Sequence, residues 1–156
     1  MSGFEVIAGG VPDCRNSDVR NSIVALEAAI RSSGFEVEAP PVRHIFAPGV
    51  YCREITLPKG ITVVGKIHRH AHVNVISKGR VAVVTEFGSE ILEAPITFVS
   101  EPGTKRAVTA LEETIWLTVH PTEETDLAKI EEHVIAPSYE ALAIGTAKPE
   151  RIEVTQ

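Results

Sequence analysis

Short runs of β-branched residues, separated by turn signals about every ten residues, constrain the fold of this chain more than any other feature. Between residues 42 and 120 the runs hold mainly Val, Ile and Thr, which suit the pleated surface of a strand. Glycine, often beside Pro or Lys, supplies the turns between them. Many short strands at regular spacing predict a sandwich or barrel and argue against alternating βαβ units. The predicted strands include residues 61–64, 73–76, 81–84, 96–99 and 115–119.

Two helices are predicted to flank the strands. The first covers residues 18–33, where Val19, Ile23, Leu26 and Ile30 form one apolar stripe. Ser17 or Asn16 is expected to cap it, and Gly34 to end it. The second is short, with Thr122 or Thr125 as the expected cap, Asp126 in its first turn and Pro137 beyond its end. Its buried stripe is expected to be Leu127, Ile130 and Val134.

The length predicts one domain, because 156 residues can bury a sufficient core without disulfides or a structural metal. We expect a helical arm over residues 1–41, a β-barrel core over 42–121, and a C-terminal helix and tail over 122–156 that pack on the barrel. In the tail, residues 151–154 are predicted to add an edge strand or to lie loose.

Composition excludes several classes of function. A net charge of −6 argues against binding nucleic acid through its phosphates. No run approaches the roughly 20 apolar residues that a membrane helix needs. Cys14 and Cys52 form neither a metal-type pair nor a disulfide framework, so a cytoplasmic location is expected.

The charge distribution is uneven along the chain. Residues 55–85 contain no Asp or Glu but hold Lys59, Lys66, Arg69, Lys78 and Arg80. Such a window indicates a site for an anion, or for a metal with an anionic substrate. The alternative is an exposed basic strand edge that discourages edge-to-edge pairing.

The same window carries three alternate histidines. In an extended strand, His68, His70 and His72 project from one face, where imidazoles can reach a single ion. His120, at the end of the strand predicted over 115–119, is a candidate further ligand. Neutral imidazoles suit Fe, Zn, Ni, Cu or Mn. The alternative is a polar strand face whose histidines only titrate near neutral pH.

Strand alternation favours that alternative. In the strands predicted around residues 61–75 and 115–119, the odd positions are apolar, while the histidines occupy even positions. An apolar face normally packs on the core, which would turn the histidines toward water. Two alternatives keep the site possible. Both faces are covered, the outer one by a helix or a partner chain, or a turn of the chain near residues 69–71 changes the register.

The histidine and glycine spacing around residues 65–79 resembles a motif of a known family. Gly65, His68, His70 and Gly79 match the outline of the first motif of the cupin superfamily, small jelly-roll barrels. The turn at residues 102–103 resembles that of the second motif, with Arg106 where the family places a histidine. The first motif's glutamate is absent, and His72 stands near its position. The resemblance implies a mainly β, cupin-like jelly-roll barrel holding a divalent transition metal, with Fe, Zn, Mn and Ni not distinguished. Residues 97–127 are also similar to uncharacterised cupin-like proteins of phages and prophages.

Arg106 changes the expected chemistry, since a guanidinium cannot ligate a metal but offers a fork of donors to an anion. Arg106, and with it Lys66 and Trp116, are therefore the candidates to bind an anionic small molecule. The alternatives are that Lys66 and Arg106 lie in solvent and that Trp116 packs in the core. Asn74 and Glu86 are candidates to support the ligands from behind, and Lys105 is expected to lie in solvent.

Two functions follow from the sequence. The first is a metal-binding protein with a histidine cluster in the barrel, acting on a small anionic substrate. The second is a non-enzymatic ligand-binding or assembly protein of phage or prophage origin. A homodimer or higher homo-oligomer is expected in either case.

Overall fold

The computed structural model describes residues 17–34 and 38–143. Cys14 and the strand predicted over 151–154 lie outside the described residues. The elements, in chain order, are α1 (Ser17–Ser33), β1 (Val42–Ala47), β2 (Val50–Leu57), β3 (Thr62–Val64), β4 (Ile67–His68), β5 (His72–Lys78), β6 (Arg80–Thr85), β7 (Gly88–Glu93), β8 (Ile96–Ser100), β9 (Ala107–Ala110), β10 (Thr114–Pro121), α2 (Leu127–Val134), β11 (Ile135–Ala136) and α3 (Tyr139–Ala143).

Two antiparallel sheets form the body of the molecule. The larger has the strand order β1-β2-β10-β5-β8, and the smaller has the order β3-β9-β6-β7. Their facing sides share one apolar core, which excludes water from both sheets. The prediction of a mainly β barrel with an N-terminal helix and a short C-terminal helix is confirmed. The core consists of Leu57, Ile76, Val81, Val83, Leu92, Val108, Ala110 and Trp116.

The larger sheet turns its even-numbered residues of β5 and β10 toward the interior. Asn74 is 1% exposed and His120 5% exposed, whereas Val73 is 38% exposed and Val99, its partner on β8, 59% exposed. The argument from alternation, which turned the histidines toward water, is therefore wrong. The polar face packs inward because its side chains pair with one another there, and an apolar face is left outside.

Helix α1 packs on the barrel through one apolar side chain and two ion pairs. Ile23 is buried, and Arg20 pairs with the buried carboxylate of Glu86 at 2.5 Å. Lys105 is 6% exposed and pairs with Glu27 at 2.8 Å. The expectations of a solvated Lys105 and of a supporting role for Glu86 near the histidines are wrong, because both residues fasten α1.

Helix α2 begins one residue after its cap, Asp126. The Asp126 side chain accepts hydrogen bonds from the backbone N–H groups of Ala128 and Lys129, so Asp126 caps the helix instead of Thr122 or Thr125. After α2 the chain pairs with β4, placing Ile135 opposite His68. This pairing holds α2 beside the end of the barrel where the histidines lie.

Candidate metal centre

Three histidines meet inside the barrel. His68 ends β4, His72 begins β5 and His120 lies near the end of β10. Their nearest ring nitrogens all lie within 4.8 Å of one another. The ring centroids are 4.0 Å apart for His68–His72, 5.3 Å for His68–His120 and 5.0 Å for His72–His120. Three convergent imidazoles are a common ligand set for a divalent transition metal.

A break between β4 and β5 brings two of these histidines together. The chain bends at residues 69–70, so His68 and His72 reach the same point while His70 turns outward. Arg69 holds the bend through its backbone N–H, which donates to Val134 O at 2.8 Å, and its Nε, which donates to Ile135 O at 3.0 Å. The three histidines therefore do not share one continuous strand face, and the alternative of a turn near residues 69–71 is confirmed.

His70 was predicted as a ligand, but it lies outside the histidine cluster. It is exposed, and its ring centroid lies 5.1 Å from that of His133 on α2. The structure therefore brings together His68, His72 and His120 of the four predicted metal ligands, and it separates the fourth from them.

Burial keeps the clustered imidazoles neutral. Burial, and after it the neighbouring imidazoles of His72 and His120, together lower the pKa of His68 from the ordinary 6.5 to about 2. Burial also lowers the pKa of His120 to about 4 and lowers the pKa of His72. A metal binds the neutral form of imidazole, so no proton has to be displaced at neutral pH.

One nitrogen of the cluster is buried without a partner. His68 Nδ1 has no hydrogen bond from any described residue. His72 Nδ1 faces the His70 carbonyl oxygen at 3.3 Å, which leaves its Nε2 for another bond. A buried polar atom without a partner costs about 1–3 kcal/mol. By donor type and separation, the three imidazoles fit a bound divalent transition metal.

A buried hydrogen-bond network lies next to the histidines. Asn74 Nδ2 donates to Ser100 Oγ at 2.6 Å, and Trp116 Nε1 donates to Asn74 Oδ1 at 3.0 Å. Asn74 Nδ2 also lies 3.3 Å from the carbonyl oxygen of His72. Asn74 thus has the supporting position expected from the sequence, and Trp116 is a core residue whose indole N–H orients that amide.

The cluster opens on a cavity of about 570 Å³. That volume suits a small molecule. Arg53 and Arg106 line it, and the one carboxylate in its lining among the described residues, Glu131, is exposed and paired with Lys66. The interior of the cavity is therefore cationic. Its wall also includes Tyr51, Ile55, Leu57, Val108, Trp116 and Ile130.

The three residues predicted to bind a ligand take different positions. Arg106 is half-buried and donates to Ser100 Oγ at 2.7 Å, and its guanidinium carbon lies 5.6 Å from the centre of the Phe98 ring. Lys66 is exposed at the cavity mouth. Trp116 forms part of the wall. Arg106 is thus the predicted residue placed to offer donors to an anion inside.

Sequence reasoning missed Tyr51, which stands opposite His120 on the neighbouring strand. Tyr51 is 4% exposed, its ring stacks with that of His120 at 6.1 Å, and its hydroxyl lies 2.8 Å from His44 Nδ1. Burial raises the pKa of the Tyr51 phenol, which keeps its proton at neutral pH. The alternation of large side chains along β2, continued at Arg53 and Ile55, was the available signal.

No protein-family model and no curated protein sequence matches this chain. Among solved structures, it is similar to a cupin-2 domain containing protein from Shewanella frigidimarina: 13% identity, 59% of this chain, 90% of that chain and a TM-score of 0.45. The chain resembles cupin barrels. It is also similar to a Cupin 2 conserved barrel domain protein from Salinispora arenicola, with 12% identity over 60% of this chain and 82% of that chain and a TM-score of 0.44. A salicylate 1,2-dioxygenase from Pseudaminobacter salicylatoxidans is similar with 15% identity over 74% of this chain and 34% of that chain and a TM-score of 0.49.

Because the sequence identities are this low, the chemistry of the site has to be inferred from the side chains of this chain itself. The similarity to phage proteins stays a prediction. Among the described residues, no helix is long and apolar enough to cross a membrane.

The buried histidines predict a pH dependence of stability in the metal-free protein. The free energy of unfolding should fall by about 3–5 kcal/mol as the pH drops from about 6.5 to about 4, because His120 and His68 take up protons in the unfolded chain but not in the folded one. Urea unfolding across this range measures it. His120→Gln should give a shallower dependence, and an unchanged slope in that variant would contradict the assignment.

Proposed function

We propose that the protein binds a divalent transition metal through His68, His72 and His120 and holds a small anionic ligand beside it. The observation that carries this proposal is the meeting of three ring nitrogens within 4.8 Å inside a cavity. Burial supports it, because a buried imidazole nitrogen has little access to water and needs another bonding partner.

Three imidazole ligands leave coordination positions open to water or a ligand. When bound, the metal supplies Lewis-acid or redox chemistry to a group placed on it. Donors of this kind suit Fe, Zn, Mn and Ni alike, so the ligand set does not select one of them.

The anionic class of ligand follows from the cations that line the cavity. Ser100 accepts a hydrogen bond from Arg106, which fixes the guanidinium while its other N–H groups stay available. Arg53 lies in the same wall, and the acidic Glu131 is engaged with Lys66 at the mouth. A carboxylate or phosphate is the group that such a fork of donors binds best.

Tyr51 gives the site a group that holds a proton. Its phenol lies between the histidine cluster and His44, an exposed imidazole at the cavity rim. This arrangement places a weak acid beside the cavity and a base between it and solvent.

Metal content tests the ligand set directly. We expect the wild-type protein, loaded with Zn²⁺ and dialysed against metal-free buffer, to retain one equivalent by elemental analysis. His68→Ala with His72→Ala should retain almost none, because one imidazole does not hold the ion. His70→Gln is the matched control and should keep the full equivalent. Loss in the control, or retention in the double variant, would refute the assignment.

The anionic ligand is tested with oxalate on Co²⁺-loaded protein, following the visible absorption of the metal. Arg106→Gln should raise the dissociation constant for oxalate about tenfold or more, because a charge-assisted hydrogen bond contributes roughly 1.5–3 kcal/mol. Lys66→Gln should change it less than about twofold, since the Lys66 ammonium pairs with Glu131 at the surface. Equal affinities in wild type and Arg106→Gln would refute the role.

We also propose that a second copy of the chain covers the outer face of the larger sheet. Val73 and Val99 are exposed side by side there, next to Val119, and the charged pair on the same side, Arg43 and Glu54, is satisfied within the chain. An apolar face with its charge already paired is complementary to a copy of itself, as a two-fold interface requires.

Light scattering on the eluting protein measures the assembly. The wild type should have twice the chain mass of 16.8 kDa. Val73→Lys with Val99→Lys should have the mass of one chain, because two buried charges would face each other across the interface. Ile91→Lys, on the smaller sheet and 63% exposed, is the control and should leave the dimer intact. A wild-type monomer would remove this proposal.

A further inference from the structure

A second pair of histidines lies outside the cavity. His70, in the bend between β4 and β5, and His133, in the last turn of α2, are both exposed. Their ring centroids are 5.1 Å apart, with an angle of 33° between the ring planes. Within the described residues, neither ring takes part in a hydrogen bond or an ion pair. Both imidazoles are therefore available to an external ligand.

The ring spacing matches two imidazoles on one ion. With metal–nitrogen bonds of about 2.0–2.1 Å, two imidazoles at a tetrahedral or square angle have centroids roughly 4.5–5.3 Å apart. Of the three distances within the buried cluster, 5.3 Å for His68–His120 and 5.0 Å for His72–His120 fall in the same range, and 4.0 Å for His68–His72 lies below it. The centroid separation of the surface pair, 5.1 Å, thus lies within the range for two imidazoles on one ion.

The backbone on each side of the pair is fixed. Arg69, next to His70, donates its N–H to the carbonyl of Val134, next to His133. The Arg69 guanidinium is occupied by the carbonyl oxygens of Ile135 and Ala141. These bonds join the bend to the end of α2 and hold both histidines at the junction, which lowers the entropy cost of binding an ion between them.

We propose that His70 and His133 form a second, weaker site for a divalent late transition metal such as Zn²⁺, Ni²⁺ or Cu²⁺. Two imidazoles with water completing the coordination bind less tightly than three buried ones, and imidazole selects these metals over Mg²⁺ and Ca²⁺. An ion at this site links α2 to the bend. Since Leu127, Ile130 and Val134 of α2 line the cavity, the ion fastens the wall of the first site.

Zinc titration by equilibrium dialysis tests this site independently of the buried cluster. We expect two Zn²⁺ per chain in the wild type and one in His70→Gln and in His133→Gln, with the weaker equivalent lost in both. Lys129→Gln, an exposed change on the same helix, is the control and should keep two. A second equivalent that persists in both histidine variants, or that never appears in the wild type, would overturn the proposal.

A separate variant keeps this result distinct from the fate of the first site. His68→Ala with His72→Ala should still bind the weaker Zn²⁺, and adding His133→Gln should abolish it. Amide hydrogen exchange gives the structural readout, because filling the weaker site should slow exchange in α2 in the wild type but not in His133→Gln. Unchanged exchange in the wild type would contradict the link to α2.

Discussion

The arrangement of the whole site depends on the bend between β4 and β5 and on the Arg69 contacts that hold it. A continuous strand would place His68, His70 and His72 along one line, about 7 Å between alternate residues. The bend removes His70 from that line and lets His68 and His72 meet at a stacked distance of 4.0 Å. Because Arg69 bonds to Val134 at the end of α2 and to Ile135 just after it, α2 and the buried histidines are fixed by the same contacts.

The site also depends on the burial of polar side chains by the larger sheet. The larger sheet turns Asn74, Ser100 and His120 inward and leaves valines outside, against the usual preference. Such a face is stable only when its groups satisfy one another. The Trp116–Asn74–Ser100–Arg106 network does so, and it holds a cation against the cavity instead of leaving it in solvent. The absence of a carboxylate in this network distinguishes the site from one built to bind a cationic ligand.

The two proposed metal sites differ for a physical reason. The buried cluster has its imidazoles desolvated and held neutral by their surroundings, so a metal replaces contacts that the protein itself does not supply. The His70–His133 pair is hydrated, and an ion there competes with water. The first proposed ion lies in the cavity, and the second lies at the junction that supports the cavity wall.

The sequence by itself determined five of the strand segments, the two longer helices, and all three histidines that the structure brings together in the barrel. Those features depend on local alternation, helical spacing and turn residues, all of which are written in neighbouring positions. Only the tertiary structure decided which face of β5 and β10 packs inward, that Lys105 fastens α1, and that Tyr51 stands beside His120. Each of these depends on contacts between residues far apart in the chain, and a local pattern that permits either face carries no information about which one is buried.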